Sequence, residues 1–466
     1  MRNKIAVSVT LAVLTACHGG GVAVSAAPPL ATQKASRPID KIQHVVIVIQ
    51  ENRSFNNLFY GFPGAKTATF GLDSKNEKIP LKPIGLATNY DLEHNSQGFI
   101  ASCDGTGNIP GTHCRNDGFN LETAQCTQTG CHIPKYPEYA YVPHNESAPY
   151  WSMAKQYVLA DQMYASNFDT SSYVSHQYMI AAQADDAMNY PYTNWGCPGG
   201  PHDLVPRVSE NPPRGTPTPK PIQDCFDYKT VADELDEKDL TWAFYAANLG
   251  QTGSGKECGG SGLAPNYVES GIWSSFQAIK HICYGKDWNE DVFTPPQQFL
   301  TDVGNGQLRD VTWVTPYCKN SDHPGCDFDG GPSWVASVVN AVGESKFWDS
   351  TAIFVMWDDY GGFYDPEPPA YVDYDGLGMR IPLMVISPYA LKGVVSHKHY
   401  EHGSILQFVE ERFDLLPLAN SDKRANSLDG CFNFTQAPRT FVPIQSKYSL
   451  RYFVNQSPDY RPPDTD

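Results

Sequence analysis

An apolar run that halts on polar side chains sets the strongest limit on what this chain can become. Residues 45–49 read VVIVI without a polar break, and Gln50-Glu51-Asn52-Arg53 follow at once. A continuous run of that length, rich in β-branched residues, fits a strand buried on both faces of a parallel sheet. Residues 352–357 (AIFVMW) repeat the pattern and run straight into Asp358-Asp359. Residues 383–386 read as another buried parallel strand. Helical spacing appears around residues 150–160 and recurs at 334–342 (WVASVVNAV) and 404–413 (SILQFVEERF). Strands alternating with helices predict an α/β fold, with a mostly parallel central sheet and helices on both faces.

Between these elements lie segments 98–148 and 187–270, dense in Gly, Pro, Asn and Cys. Connections of that length are uncommon unless they do something, so they are expected to be insertions that build the rim of a site. Residues 40–418 carry the patterned part, and 419–466 read as a C-terminal extension. No internal repeat, P-loop or Gly-rich dinucleotide fingerprint is present.

The chain begins with Arg2 and Lys4 ahead of the apolar stretch IAVSVTLAVLTA. That stretch is shorter than the roughly 20 residues of a membrane span and reads as a targeting segment. Two processing points stay open. Leu14-Thr15-Ala16-Cys17 is like a lipobox, with Cys17 lipidated, and Val24-Ser25-Ala26 would end an ordinary signal peptide at 1–26. Both predict export from a bacterial cell: periplasmic, secreted or lipid-anchored to the outer membrane. The cysteines agree with that compartment. There are 12, and with Cys17 aside the rest form an odd set, predicted to staple loops as disulfides and leave at least one thiol over. A net charge of −17 excludes non-specific nucleic-acid binding, which needs a basic face.

Both polar strand ends are rich in oxygen ligands. Doubly wound sheets bind ligands at the carboxyl ends of their strands, and adjacent buried carboxylates repel unless a cation compensates. Glu51, Asn52, Asp358 and Asp359 therefore form a candidate site for one divalent ion, with Ca²⁺, Mg²⁺ or Mn²⁺ suiting hard oxygen donors. Against this, Asp358-Asp359 could simply open a turn before Gly361-Gly362. A hydroxyl-rich loop, Thr170-Ser171-Ser172, enters a helical segment. Its hydroxyls fit either N-capping or attack on phosphorus beside a metal. His94, His281, His323 and His402 sit in polar settings, where an imidazole can bind a phosphoryl oxygen or protonate a leaving alkoxide.

Taken together, these motifs resemble the bacterial phospholipase C and acid phosphatase phosphoesterase family. Glu51-Asn52-Arg53-Ser54-Phe55 looks like its opening signature, and Trp357-Asp358-Asp359-Tyr360-Gly361-Gly362-Phe363-Tyr364-Asp365 like its late one. Ser172, four residues before His176, matches the nucleophile segment. Ser321-Asp322-His323-Pro324 and His402-Gly403-Ser404-Ile405-Leu406 also match. The resemblance implies an alkaline-phosphatase-like core and hydrolysis of a phosphate ester. It implies a metal held by Glu51, Asn52, Asp358, Asp359 and the nucleophile Ser172. It also implies that His94, His281 and His323 bind the phosphoryl group, with Asn52, or act as acid and base. His323 is expected to protonate the leaving oxygen.

Three positions depart from the family pattern. Asn56 stands where Asp is common, Thr170-Ser171 where Gly-Pro often leads into the nucleophile, and Pro366 where phospholipase-type members often have His. Thr170 and Ser171 thus stay open as rival hydroxyls. The substrate is expected to be a small phosphate monoester or a phospholipid head group. Tyr136, Tyr139, Tyr141, Trp151 and the tyrosines at 190 and 192 are candidates for an apolar rim. No protein partner is implied, and a membrane enters only as lipid anchor or lipid substrate. Arg53 is expected to pair with a carboxylate. The contrasting reading is a non-catalytic surface lipoprotein or carbohydrate-binding protein.

Overall fold

The computed structural model describes residues 36–192, 195–208, 214, 217–218, 220–247, 258, 273–457 and 459. The targeting segment 1–26, with Cys17, lies outside the described residues, as does part of segment 187–270. Pro38–Asp466 forms one compact unit. Its centre is a nine-stranded sheet built from β1 (His44–Gln50), β2 (Val158–Tyr164), β3 (Trp242–Tyr245), β4 (Val292–Phe293), β5 (Val311–Val314), β6 (Thr351–Trp357), β7 (Arg380–Ile386), β8 (Val394–Ser396) and β9 (Tyr400–Glu401). The order is β4-β3-β5-β1-β6-β7-β2-β8, with β9 also paired to β2.

Every residue of β2, β6 and β7 is buried, as are all of β1 beyond His44. Successive strand residues point to opposite faces, so burial at every position means that both faces are covered. Helices α1 (Phe55–Phe59), α2 (His144–Gln156), α3 (Ser172–Ala181), α4 (Gly331–Gly343) and α5 (His402–Phe413) do much of the covering. α2 packs on α4, and α3 on α5. Pro332 opens α4, where its missing N–H costs no bond.

The strand pairings decide where the site can be. β5, β1 and β6 are mutually parallel neighbours, and Gln50 lies opposite Trp357. β7 runs antiparallel to both β6 and β2, which makes β2 parallel to β6. The carboxyl ends of β1, β2, β5 and β6 thus share one edge of the sheet. The antiparallel course of β7 corrects its reading as a parallel strand, because an all-apolar run reports burial and not direction.

The helical reading of residues 150–160 also needs correction. The helix stops at Gln156, Tyr157 is extended, and Val158 starts a strand. The strand VLADQMY hid because Asp161 and Gln162 interrupt its apolar pattern. Asp161 is nevertheless buried, its carboxylate held by the Lys66 N–H and His397. β3 and β5, of four residues each, are too short for a periodic signal.

Disulfides staple the loops: Cys103–Cys114, Cys126–Cys131, Cys197–Cys225, Cys258–Cys283 and Cys318–Cys326. Among the described residues, Cys431 is the thiol outside these bridges, and it is buried. The segment after 418 contributes Leu428, Phe432, Ile444 and Phe453 to the main core. Among the described residues, no helix is long and apolar enough to cross a membrane.

A buried ion pair ties the two signature loops to the sheet. Asp365 takes a fork from Arg380, with Nε at 2.8 Å and Nη2 at 3.1 Å, and accepts from the Asn56 N–H at 3.0 Å. Arg380 also lies over the Phe55 ring. Asn56 itself pairs both ways with the Ala68 backbone, which gives its departure from Asp a structural use. Both charged side chains have no solvent exposure. Removing one partner strands the other, so Asp365→Ala is expected to lower stability by about 3–5 kcal/mol. Urea unfolding under oxidising conditions measures this, and a loss below about 1 kcal/mol would contradict it.

Candidate active site

The two signature loops are laced together by backbone. Asp358 N–H continues the ladder to Gln50 O at 3.0 Å, and Arg53 N–H donates to Asp359 O at 3.1 Å. Asn52 N–H donates to Asp358 Oδ1 at 2.8 Å. Asn52 adopts φ +60°, a left-handed turn that Asn tolerates better than most residues. Gly361 lies over that turn with φ +60°, and a Cβ there would sit 2.1 Å from Asn52 O. Only glycine fits, which explains the first Gly of the late motif.

The lacing brings Glu51, Asn52, Asp358 and Asp359 into one buried cluster, each without solvent exposure. Ser172 opens α3 and donates its hydroxyl to Asp359 Oδ2 at 3.3 Å. The rival hydroxyls point elsewhere. Thr170 Oγ1 donates to His94 O at 2.7 Å, and Ser171 Oγ to Asp169 Oδ2 at 2.9 Å. One helical turn beyond Ser172, His176 Nε2 lies 3.4 Å from Glu51 Oε2. Residues four apart share a helix face. In sequence His176 marks the position of the serine, and its i+4 spacing is the signal that it joins the site.

Ligand atoms of Glu51, His176 and Asp358 all lie within 4.8 Å of one another. Glu51 Oε1, Asn52 Oδ1, Asp358 Oδ2 and His176 Nδ1 are buried with no hydrogen-bond partner. Orphaned buried acceptors are costly, and a divalent cation at their convergence would satisfy several at once. The charges say the same. Burial, then Asp358 and Asp359, push the Glu51 carboxyl well above its ordinary range. Burial, then Asp358, does the same to Asp359. Burial also acts upward on Asp358, but His176 and the hydrogen bond from the Asn52 N–H leave it below its ordinary value. Burial lowers His176 to about 4, so at neutral pH it is a neutral imidazole with a lone pair to offer. The donor set fits a divalent cation.

His94 borders this cluster. Its Nδ1 meets Leu92 O at 2.7 Å, and its Nε2 lies 2.6 Å from Asn52 Nδ2. His323 faces it, ring centroids 5.9 Å apart, and packs on Trp273. His281 is not brought here. Its two ring nitrogens each lie 2.9 Å from an acid, Asp227 and Asp233, in an exposed pairing. The sequence Ala278-Ile279-Lys280-His281 carries no sign of those surface partners. His402 is buried behind the cluster with Nε2 at Trp357 O, and burial lowers it to about 4.

Two further expectations change. Arg53 donates to Asp322 O, Leu86 O and Asn57 Oδ1 and stacks on Phe363, so its hydrogen bonds go to neutral oxygens and not to a carboxylate. Four of the six rim candidates are packing residues: Tyr139 is buried against Tyr364, Tyr136 packs edge-on against Tyr139, Tyr141 stacks on Tyr60, and Trp151 packs on Phe62. Tyr190 alone among them reaches the site, its hydroxyl accepting from the Ser172 N–H at 3.2 Å.

The model of the Phosphoesterase family matches residues 42–416. Non-specific phospholipase C1 of Arabidopsis thaliana is 24% identical, over 90% of this chain and 77% of its own length. Phospholipase C A of Mycobacterium tuberculosis is also 24% identical, over 92% and 86%. Among solved structures, a protein in the alkaline phosphatase superfamily from Vibrio parahaemolyticus overlaps 78% of this chain and 65% of its own at TM-score 0.32 and 9% identity.

The electrostatics predict how the site behaves without a cation. Glu51 and Asp359 titrate above their unfolded values, so the folded chain holds protons that the unfolded chain has released. Buried neutral His176 and His402 act the other way up to about pH 6.5, so stability of the cation-free protein should fall as pH rises above about 6.5. A divalent ion at a hundred times its Kd should restore about 2.7 kcal/mol, seen as a rise in Tm that disappears in Glu51→Gln and Asp358→Asn. Equal cation-induced shifts in wild type and both variants would refute this site.

Proposed function

This chain belongs to the Phosphoesterase family and is a hydrolase of phosphoric ester bonds, and from that premise we propose that it is an exported, divalent-cation-dependent phospholipase C that attacks phosphorus with Ser172. Membership of a hydrolase family sets aside the non-catalytic lipoprotein reading. The observation that carries the proposal is the direction of the hydroxyls. Of the three in the loop, Ser172 is the one aimed at the carboxylate cluster. The phospholipase assignment rests on the names of the relatives, which span most of this chain. Export is supported by the disulfides, which persist in oxidising compartments.

In this reading Glu51, Asn52, Asp358 and Asp359, with His176 as the added donor, hold the cation. Ca²⁺, Mg²⁺ and Mn²⁺ remain the ions that hard oxygens favour, and the imidazole tilts the set towards Mn²⁺. When bound, such a cation supplies Lewis-acid stabilisation of charge on phosphoryl oxygens. Ser172 Oγ sits at the N-terminus of α3, where the helix dipole favours negative charge. Asp359 Oδ2 accepts the hydroxyl hydrogen and holds Oγ in line for phosphorus. Asn52 and His94 border the place where phosphoryl oxygens would lie. His323, beside His94, is assigned the proton for the leaving oxygen. The phosphoserine formed at Ser172 is then hydrolysed by water, which regenerates the hydroxyl.

A second reading, phosphomonoester hydrolysis of the acid phosphatase type, is favoured by Pro366 following Asp365. Products separate the two. Phosphatidylcholine should yield phosphocholine and diacylglycerol, whereas a monoesterase would release inorganic phosphate from p-nitrophenyl phosphate and leave the lipid intact. Ser172→Ala should lower turnover about 10³-fold or more, while Ser171→Ala and Thr170→Val keep most of it. Near-normal turnover in Ser172→Ala would remove Ser172 as nucleophile.

A further inference from the structure

Asp322 is a buried carboxylate that the chemistry above does not use. It lies one residue before His323, at the carboxyl-end edge of the sheet beyond β5, and is 1% exposed. Its atoms reach four separate elements. Oδ2 accepts from the Tyr150 hydroxyl on α2 at 2.8 Å and from the Trp357 indole N–H, at the end of β6, at 3.0 Å. Its backbone oxygen accepts from Arg53 Nε, beyond β1, at 2.7 Å. Oδ1 has no hydrogen-bond partner and is pressed against Gly331, the first residue of α4, where a Cβ would sit 2.1 Å from it. Trp357 immediately precedes Asp358, and Tyr150 packs edge-on against the Trp357 ring at 5.0 Å.

We infer that Asp322 is a positioning residue for phosphoester hydrolysis: from behind the site it fixes both the loop that carries His323 and the strand end that carries Asp358. This inference rests on the proposed roles of those two residues. Asp322 touches no reacting atom in that scheme. It acts by holding an imidazole and a ligand carboxylate in register, and residues that orient a site in this way typically change activity by ten- to a hundredfold when altered. The full occupation of Oδ2, and the space that only glycine leaves for Oδ1, indicate a carboxylate held in one orientation.

Two substitutions test this without removing the carboxylate. Tyr150→Phe deletes one donor at nearly constant volume. Gly331→Ala adds a methyl group where Oδ1 lies, on a helix that alanine otherwise favours. Each should lower kcat for p-nitrophenyl phosphate or phosphatidylcholine by about tenfold or more, with KM within about twofold. Asp322→Asn, which keeps an acceptor for Tyr150 and Trp357, should retain more activity than Asp322→Ala. A readout independent of turnover accompanies these: hydrogen exchange of the Trp357 indole N–H should speed up in Asp322→Ala and stay slow in Asp322→Asn. Unchanged kcat in both Tyr150→Phe and Gly331→Ala would overturn the inference, as would a purely KM-based loss. A wild-type enzyme that turns over neither ester would instead count against the functional reading. The indole exchange would then decide the structural claim alone, with equal rates in wild type and Asp322→Ala overturning it.

Discussion

Three carboxyl groups converge inside this protein without solvent exposure, and the rest of the site is arranged around that fact. Glu51, Asp358 and Asp359 have no solvent exposure, and among the described residues no lysine or arginine supplies their hydrogen bonds. Arg53, the nearest cation in sequence, turns its guanidinium to carbonyl oxygens and the Phe363 ring. Burying like charges together is unfavourable unless protons or a cation intervene. Protons alone can carry the cluster at low pH. Under the proposed function a divalent ion replaces them, and the same charge density that makes the site costly then makes it a strong electrophilic centre.

The fold absorbs this strain by making the two loops one unit. Parallel pairing of β1 with β6 in fixed register sets Gln50 opposite Trp357, so the next residues on each strand emerge side by side. Backbone bonds cross between the loops, Gly361 leaves room for Asn52, and Asp365 fastens the late loop to α1 and to Arg380. Each signature residue thus has a physical task. Some, such as Glu51 and Asp358, are the proposed cation ligands. Others, such as Ser54 capping α1 and bonding Tyr364 O, keep the ligands in register. Segments distant in sequence supply the remainder: α3 brings Ser172 and His176, and the loop after β5 brings Asp322 and His323.

Much of this was legible in the sequence, and the limits were physical. Continuous apolar runs marked β1, β6 and β7 because buried strands need them, but such runs carry no direction, so the antiparallel course of β7 was invisible. β2 escaped because buried Asp161 breaks its pattern while finding partners that only the folded chain provides. The carboxylates at strand ends were legible because two apolar strands each run directly into acids, a repetition that a turn at Asp358-Asp359 alone does not explain. Histidines were not. An imidazole is equally at home in a site, a surface pair or a core, and sequence could not separate His323, which faces His94, from His281, which is held by Asp227 and Asp233. His176 was within reach through its helical spacing from Ser172. The disulfide pairings were beyond reach, because connectivity is set by the fold.

The proposed function places one divalent cation among Glu51, Asp358 and the surrounding donors. Crystals grown with Mn²⁺ and measured at the manganese absorption edge test it most directly. A single strong anomalous peak is expected within about 2.0–2.4 Å of carboxylate oxygens of Glu51 and Asp358. A cluster that shows no peak, while Mn²⁺ is found elsewhere on the chain, would contradict it.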